Sequence, residues 1–455
     1  MLLDFGEDPN YKEYYENEVK NSQLESICDS NNLYRASQDC LKGVDWKHSV
    51  QQNDMNILTN IRTTQKAIRN GIYKEKPVVE FKLNERGHVR DIKSHDIRDR
   101  IVQRSLNDNV LMPRVRNSLI YNNGASIKGK GISFTRKQFK FDLLNAKQEY
   151  GDSCYILLID FSKYFDNIRH QETLNMLQPY LNQAEYDFVS SLFKEFEVDV
   201  SYMSDEEYAC CMDTLFNSLD YASNIPKELR TGTKFMAKSI GIGSHLSQIC
   251  GIYYPHQIDN YCKTVLGLKY YGRYMDDTYI IANSKEYLQW VLQQITIIAN
   301  QLGIFINQKK TRILDVNKNI ITYLKINYFF DQNTGKLIEK VNSETIRRER
   351  RRLRKFYDLM NIGIIKYKDI RNWFLSWLGT YDKFDSGYEL LNIKKYFMQL
   401  FNVNSYLLKE EDMIKIPMDP TASQLEFKEV PRKDVIKKSH KPQYNTYRMI
   451  PGYDC

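Results

Sequence analysis

Two adjacent acids, Asp276 and Asp277, stand between runs that read as β-strands, Tyr270-Tyr271 before them and Thr278 to Ala282 after. Neighbouring unpaired carboxylates repel each other and are costly to desolvate, so this pair constrains the fold more than any other feature. A hairpin with both acids near its turn leaves two readings. Either the turn is simply solvated, or the acids hold divalent cations as oxygen ligands. A third acid bears on the choice. The apolar run from Tyr155 to Ile159 ends abruptly in Asp160, the pattern of a buried strand with a carboxylate at its tip. Two such strands side by side would gather the acids around two metal ions. Ions about 3.5–4 Å apart activate one oxygen and stabilise the leaving one in phosphoryl transfer.

The ordered pair, Asp160 with an aromatic five residues later and then Tyr274-Met275-Asp276-Asp277, resembles motifs A and C of reverse transcriptases. The resemblance covers roughly residues 78–400. It implies an α+β, right-hand polymerase fold: fingers over 77–150, a palm with an antiparallel sheet over 151–330, and a helical thumb over 335–400. An N-terminal helical region, 1–76, and a C-terminal tail, 401–455, complete the expected organisation. The implied activity is RNA-directed DNA synthesis from deoxynucleoside triphosphates with two magnesium ions, manganese being the alternative. Asp160, Asp276 and Asp277 would be the catalytic acids. Asp160, Asp276 and the backbone carbonyl of Phe161 would ligate metal, with Asp277 supporting the site. Phe165 falls at the place of the aromatic steric gate that leaves no room for a 2′-hydroxyl; the plainer reading is a core residue.

Further motifs follow the same order. Val78 to Leu83 and His88 to Lys93 alternate as two strands around an Asn84-Glu85-Arg86-Gly87 turn, and a helix is expected from Asp96 to Leu111. The hairpin resembles the basic fingers hairpin that folds over the incoming nucleotide, which makes Lys82 and Arg90 candidates for its triphosphate. Solvated charges on an edge hairpin are the alternative. Lys128 and Lys130, in Lys128-Gly129-Lys130-Gly131, offer charge and open backbone to a phosphate chain, or form a plain surface loop. Motif B is read at Ser239 to Gln248, where Gly243 and Gln248 would lie beside the nascent base pair. Its Ile242-Gly243 and Ser247-Gln248 depart from the common Pro-Gln-Gly and Ser-Pro forms and resemble diversity-generating retroelements. Asn307, Lys310 and Thr311 match motif D, whose lysine can approach the triphosphate and assist pyrophosphate departure. Thr322 to Ile326 stands where a primer-grip hairpin is expected, with Lys325 in place of glycine.

Residues 171–238 form a spacer long for the family, read as palm helices carrying an insertion that could serve as a contact surface. Its Cys210-Cys211 pair reads as small hydrophobes rather than metal ligands. Seven basic residues and one acid between Ile346 and Lys355 point to a phosphate backbone, with Arg347, Arg348, Arg351 and Arg354 as nucleic-acid ligands. Trp373, Phe374, Trp377 and Tyr381 fall at helical spacing and are expected to pack helices.

The net charge of +8 is mild for 455 residues, so charge distribution matters more than its sum. Eight cysteines with no Cys-x-x-Cys pair, and seven scattered histidines, argue against zinc and a disulfide framework. No apolar run approaches a membrane span, and the opening residues lack a signal-peptide pattern, so a cytoplasmic location without membrane contact is expected. No endonuclease, zinc-finger or ribonuclease H pattern is found. The expected partners are an RNA template, a cognate noncoding RNA by this reading, with the DNA product and deoxynucleotides; an accessory protein or a second copy would be additional. Three roles stay open: antiphage defence in bacteria, a mutagenic diversity-generating retroelement, and a catalytically silent RNA-binding scaffold.

Overall fold

Alternation and turn chemistry account for the first sheet. In this computed structural model, which describes residues 22–85, 88–220 and 224–407, β1 (Val79–Glu85) pairs antiparallel with β2 (His88–Ser94). The Asp96 side chain then accepts from the Arg98 amide and caps a helix, Ile97–Leu106, that continues through a π-turn at Asn107–Leu111. This matches the helix expected from Asp96 to Leu111. Upstream, the amphipathic helix Ile57–Arg69 ends before Gly71, which takes φ 66. The acidic segment near the start, the Arg86-Gly87 turn and the Pro-rich tail from residue 408 lie outside the described residues.

The contacts divide the chain into two units, the first ending at Asn319 and the second beginning at Ile320. The first is built on a four-stranded antiparallel sheet in the order β10 (Arg312–Asp315), β3 (Tyr155–Ile159), β8 (Asp277–Ala282), β7 (Tyr270–Tyr274). Strands β3, β7 and β8 are apolar and almost continuously buried, as strands covered by helices should be. Helix Ile132–Tyr150 packs on β7 and β8, and helix Lys285–Gln301 packs on β3, β8 and β10. Gly303, at φ 74, ends the latter where the sequence places its stop. Two short strands, β4 (Phe161–Ser162) and β9 (Phe305–Ile306), pair beside the main sheet.

The spacer resolves into helices His170–Leu177 and Gln183–Lys194 followed by a small lobe. In the lobe β5 (Val198–Asp199) pairs with β6 (Phe235–Met236) over a core of its own, made by Val198, Val200, Met203, Cys211, Phe216 and Met236. Cys211 is therefore the buried hydrophobe expected, whereas Cys210 is exposed. The Asn167 side chain ties the lobe to the turn after β4, donating to the Phe216 carbonyl and accepting from its amide (3.0 and 2.9 Å).

In the second unit β11 (Ile321–Tyr323), β12 (Ile326–Phe330) and β13 (Leu337–Val341) form a meander. Leu324 and Lys325 both take positive φ, 46 and 71, so Lys325 adopts the conformation for which glycine is commoner. Three helices follow, Ser343–Asn361, Tyr367–Tyr381 and Gly387–Phe401. Phe374 stacks on Phe397 at 4.3 Å between the last two, the packing role expected of that aromatic run. Residues 320–330, read from sequence as the end of the palm, pack with this second unit.

Candidate active site

Strand register brings the three acids together. Ile159, the last residue of β3, pairs with Thr278 of β8, so Asp160 leaves its strand beside the point where Asp277 enters its own. Asp276 lies in the two-residue turn of the β7–β8 hairpin, after Met275, whose φ is 55. Burial is the main force raising the Asp276 and Asp277 pKa values, and charge on neighbouring acids adds to it; Asp277 is pushed up to about 7. Asp160 is held from three sides by the segment after β9. Its carbonyl accepts from the Asn307 amide at 2.8 Å, its amide meets Thr311 Oγ1 at 3.4 Å, and Oδ1 accepts from Lys310 Nζ at 3.1 Å. Its Oδ2 is buried without a hydrogen-bond partner.

These features fit a divalent cation: hard oxygen donors, mutual repulsion and an unsatisfied buried carboxylate oxygen. Among the described residues no set of three acidic, histidine or cysteine side chains forms a ready-made coordination cluster, and the Lys310 ammonium is the nearest compensating charge on Asp160.

Phe165 is half-buried and packs against the main core. Its ring meets Tyr164 edge-on at 5.5 Å and lies over Gly251, where an added Cβ would come within 3.0 Å of it. Motif B is joined to this turn by the Ile240 amide, which donates to the Phe165 carbonyl at 3.2 Å. The motif B glycines have a reason the sequence could not show. A Cβ on Gly243, at φ 128, would stand 3.1 Å from the Lys93 carbonyl, and one on Gly241 3.1 Å from Lys93 Cδ. Both seat the loop against β2, which Ile242 bridges at Ile92. Gln248 is half-buried in the first turn of the following helix, His245–Tyr253. His245 contacts Cys40 Sγ at 3.7 Å, and burial lowers its pKa to about 4.

A family model described as reverse transcriptase (RNA-dependent DNA polymerase) matches residues 76–328, more than half of the chain. The chain belongs to the reverse transcriptase family. It is an RNA-directed DNA polymerase, a nucleotidyltransferase whose substrates are an RNA template and deoxynucleoside triphosphates and whose product is DNA. No curated protein matches the chain.

The remaining candidate ligands of this reverse transcriptase are spread unevenly. Lys82 pairs opposite Asp91 and Arg90 opposite Leu83, so successive positions put Lys82 and Arg90 on opposite faces of the hairpin. Arg90 lies near enough to Asp276 to favour its charged form, whereas Lys82 donates to Asn224 of the inserted lobe at 2.6 Å. Lys128 is exposed. Lys130 donates to the Tyr121 and Asn123 carbonyls (2.6 and 3.3 Å) and sits over the Tyr121 and Phe134 rings, bracing its own loop. In the second unit Arg347 and Arg351 share Glu344 at 3.3 and 2.7 Å, Arg354 is exposed and Arg348 half-buried. Sequence reasoning passed over Arg273 and Asp259, which pair in the core behind the hairpin. An arginine inside an apolar strand signalled a buried partner, but nothing in the sequence said which.

Proposed function

We propose that Asp160, Asp276 and Asp277 form the polymerase centre and that two magnesium ions, or manganese in their place, are held there with help from the Phe161 carbonyl. The observation that carries this reading is the convergence of two strand ends and one hairpin turn on three acids, two of them, Asp276 and Asp277, desolvated by burial. When bound, the ions supply the positive charge that activates the primer 3′-hydroxyl toward the α-phosphate and stabilises the leaving oxygen. The chain's own residues orient the substrates. Arg90 offers its guanidinium to the triphosphate, and Phe165 closes the space that a 2′-hydroxyl would need. Lys310, with Nζ 3.1 Å from Asp160 Oδ1, is placed to donate to the departing pyrophosphate. Gly243 and Gln248 shape the floor under the base pair. Residues 77–150 act as fingers and 335–400 as a thumb, with Lys128, Lys130, Arg347, Arg348, Arg351 and Arg354 along the nucleic acid.

For the biological role we favour antiphage defence in the bacterial cytoplasm, templated by a cognate noncoding RNA. The lobe between motifs A and B supports it, since a core of its own suits it to contact RNA, an accessory protein or a second copy. The diversity-generating reading draws on Ile242-Gly243 and Ser247-Gln248 of motif B. The silent scaffold is disfavoured by the intact acids.

Primer extension on an RNA template, with and without co-purified RNA, tests the catalytic reading. Asp276→Ala with Asp277→Ala should leave a folded protein whose incorporation rate has fallen on the order of a thousandfold or more. Wild-type extension by the double variant would overturn it.

A further inference from the structure

The structure assigns a positioning role to Arg273, which, held by Asp259, grips the Met275 carbonyl and thereby orients Asp276. Both side chains are fully inside the protein, at 1% and 0% exposure. Arg273 Nε donates to Asp259 Oδ1 and Oδ2 (2.9 and 3.1 Å), and Nη2 donates to Oδ2 at 2.6 Å. The same guanidinium reaches two backbone carbonyls, Nη2 to Ile252 at 2.7 Å and Nη1 to Met275 at 2.9 Å. Tyr271 Oη donates to Asp259 Oδ1 at 2.6 Å and completes the cluster.

A buried pair of this kind gains little net stability over two apolar side chains. What it supplies here is direction. Met275 sits at φ 55, a conformation that L side chains hold only where the surroundings over-determine it. Its carbonyl shares a planar peptide unit with the Asp276 amide, so a donor fixed on that oxygen fixes the plane from which Asp276 departs. Arg273 is itself immobilised. Its amide donates to the Asn122 carbonyl at 3.1 Å, and its carbonyl accepts from Gly124 at 3.2 Å. Through Ile252 the grip also joins the hairpin to the helix that follows motif B. A fork of three nitrogens can hold an acid and two carbonyls at once; a single ammonium cannot.

The inference rests on Asp276 being a metal ligand, and the test separates the two. Mn2+ binding is titrated by electron paramagnetic resonance on Arg273→Lys, alongside steady-state incorporation and thermal unfolding. Lysine keeps the charge facing Asp259 and loses the fork. A folded R273K should bind Mn2+ about tenfold more weakly and lose about tenfold in kcat, the size of effect that outer-sphere partners exert on metal sites, with KM for deoxynucleotide within about twofold. A merely structural loss would reduce the number of sites, not the affinity of each. Mn2+ affinity and kcat within twofold of wild type would overturn the proposal. If R273K does not fold, Arg273→Met with Asp259→Leu faces the same titration, and wild-type affinity there overturns it equally. Failure of both to fold would assign Arg273 to the core alone. Wild-type Mn2+ binding by Asp276→Ala would instead fail the metal reading itself.

Discussion

The Phe165 ring is half-buried and packs against the main core, with one edge against Tyr164 and a face over Gly251, so the gate proposed for it and a core role make different predictions. If the ring excludes a 2′-hydroxyl, Phe165→Ala should lower the preference for dATP over ATP on one template by on the order of tenfold, since a misplaced ribonucleotide would then be tolerated. Incorporation ratios measured beside thermal stability check this. An unchanged ratio in a destabilised protein would return Phe165 to the core. At this scale the sequence was partly legible. The five-residue offset from Asp160 located the ring, but Gly251 beneath it came from a helix far along the chain. The charges of Lys82 and Arg90 were equally visible, yet only strand register shows that they occupy opposite faces.

Helix Ser343–Asn361 is the element whose sequence pattern says most about function. Its basic run divides by face. Arg352 lies over the Trp373 ring at 4.6 Å and pairs with buried Glu349 at 3.3 Å, and Arg350 lies over Tyr396 at 5.7 Å. Arg347, Arg351 and Arg354 share an exposed face at spacings of four and three, with Glu344 the acid that Arg347 and Arg351 reach. Replacing these three with glutamine should weaken RNA binding and flatten the slope of log affinity against log salt by about two units, roughly 0.7 for each lost phosphate contact. An unchanged slope would mean the face is merely solvated or meets protein. Exposed ion pairs to Glu344 contribute little stability, so the fold should tolerate the change.

Over the whole molecule, buried titratable groups set the response to acid. His170 is 4% exposed, with a ring nitrogen 2.7 Å from the Ser239 carbonyl, and burial lowers its pKa to about 4 from 6.5. Below pH 6.5 the unfolded chain takes up a proton that the folded ring refuses, so stability falls as pH drops toward 4 and levels off below it. By pH 5 this costs about 2 kcal/mol. His245 acts in the same direction. Asp142, raised to about 6 by burial, works oppositely and relieves the fold as pH falls from 6 toward 4. His170→Gln keeps a donor for Ser239 and removes the titration. Its denaturation midpoint should therefore lose less than that of wild type between pH 7 and pH 5. Parallel pH profiles would exclude His170 as the source.

By itself the sequence determined the elements and the chemistry. Apolar runs ending in Asp160 and Asp276-Asp277 specify buried strands that deliver acids. The stop at Gly303 and the cap at Asp96 bound their helices within a residue or two, because caps and strand periodicity act over a few neighbours. Tertiary structure decided which groups meet. The braces on Asp160 come from Asn307, Lys310 and Thr311, about 150 residues away, and the grip on Met275 depends on an Arg273–Asp259 pair set by how a helix packs behind β7. It also decided what the glycines of motif B are for, since Lys93 lies against them from a distant hairpin. Local propensity cannot encode such meetings: they follow from strand register and close packing, where one residue's slip turns every side chain to the other face.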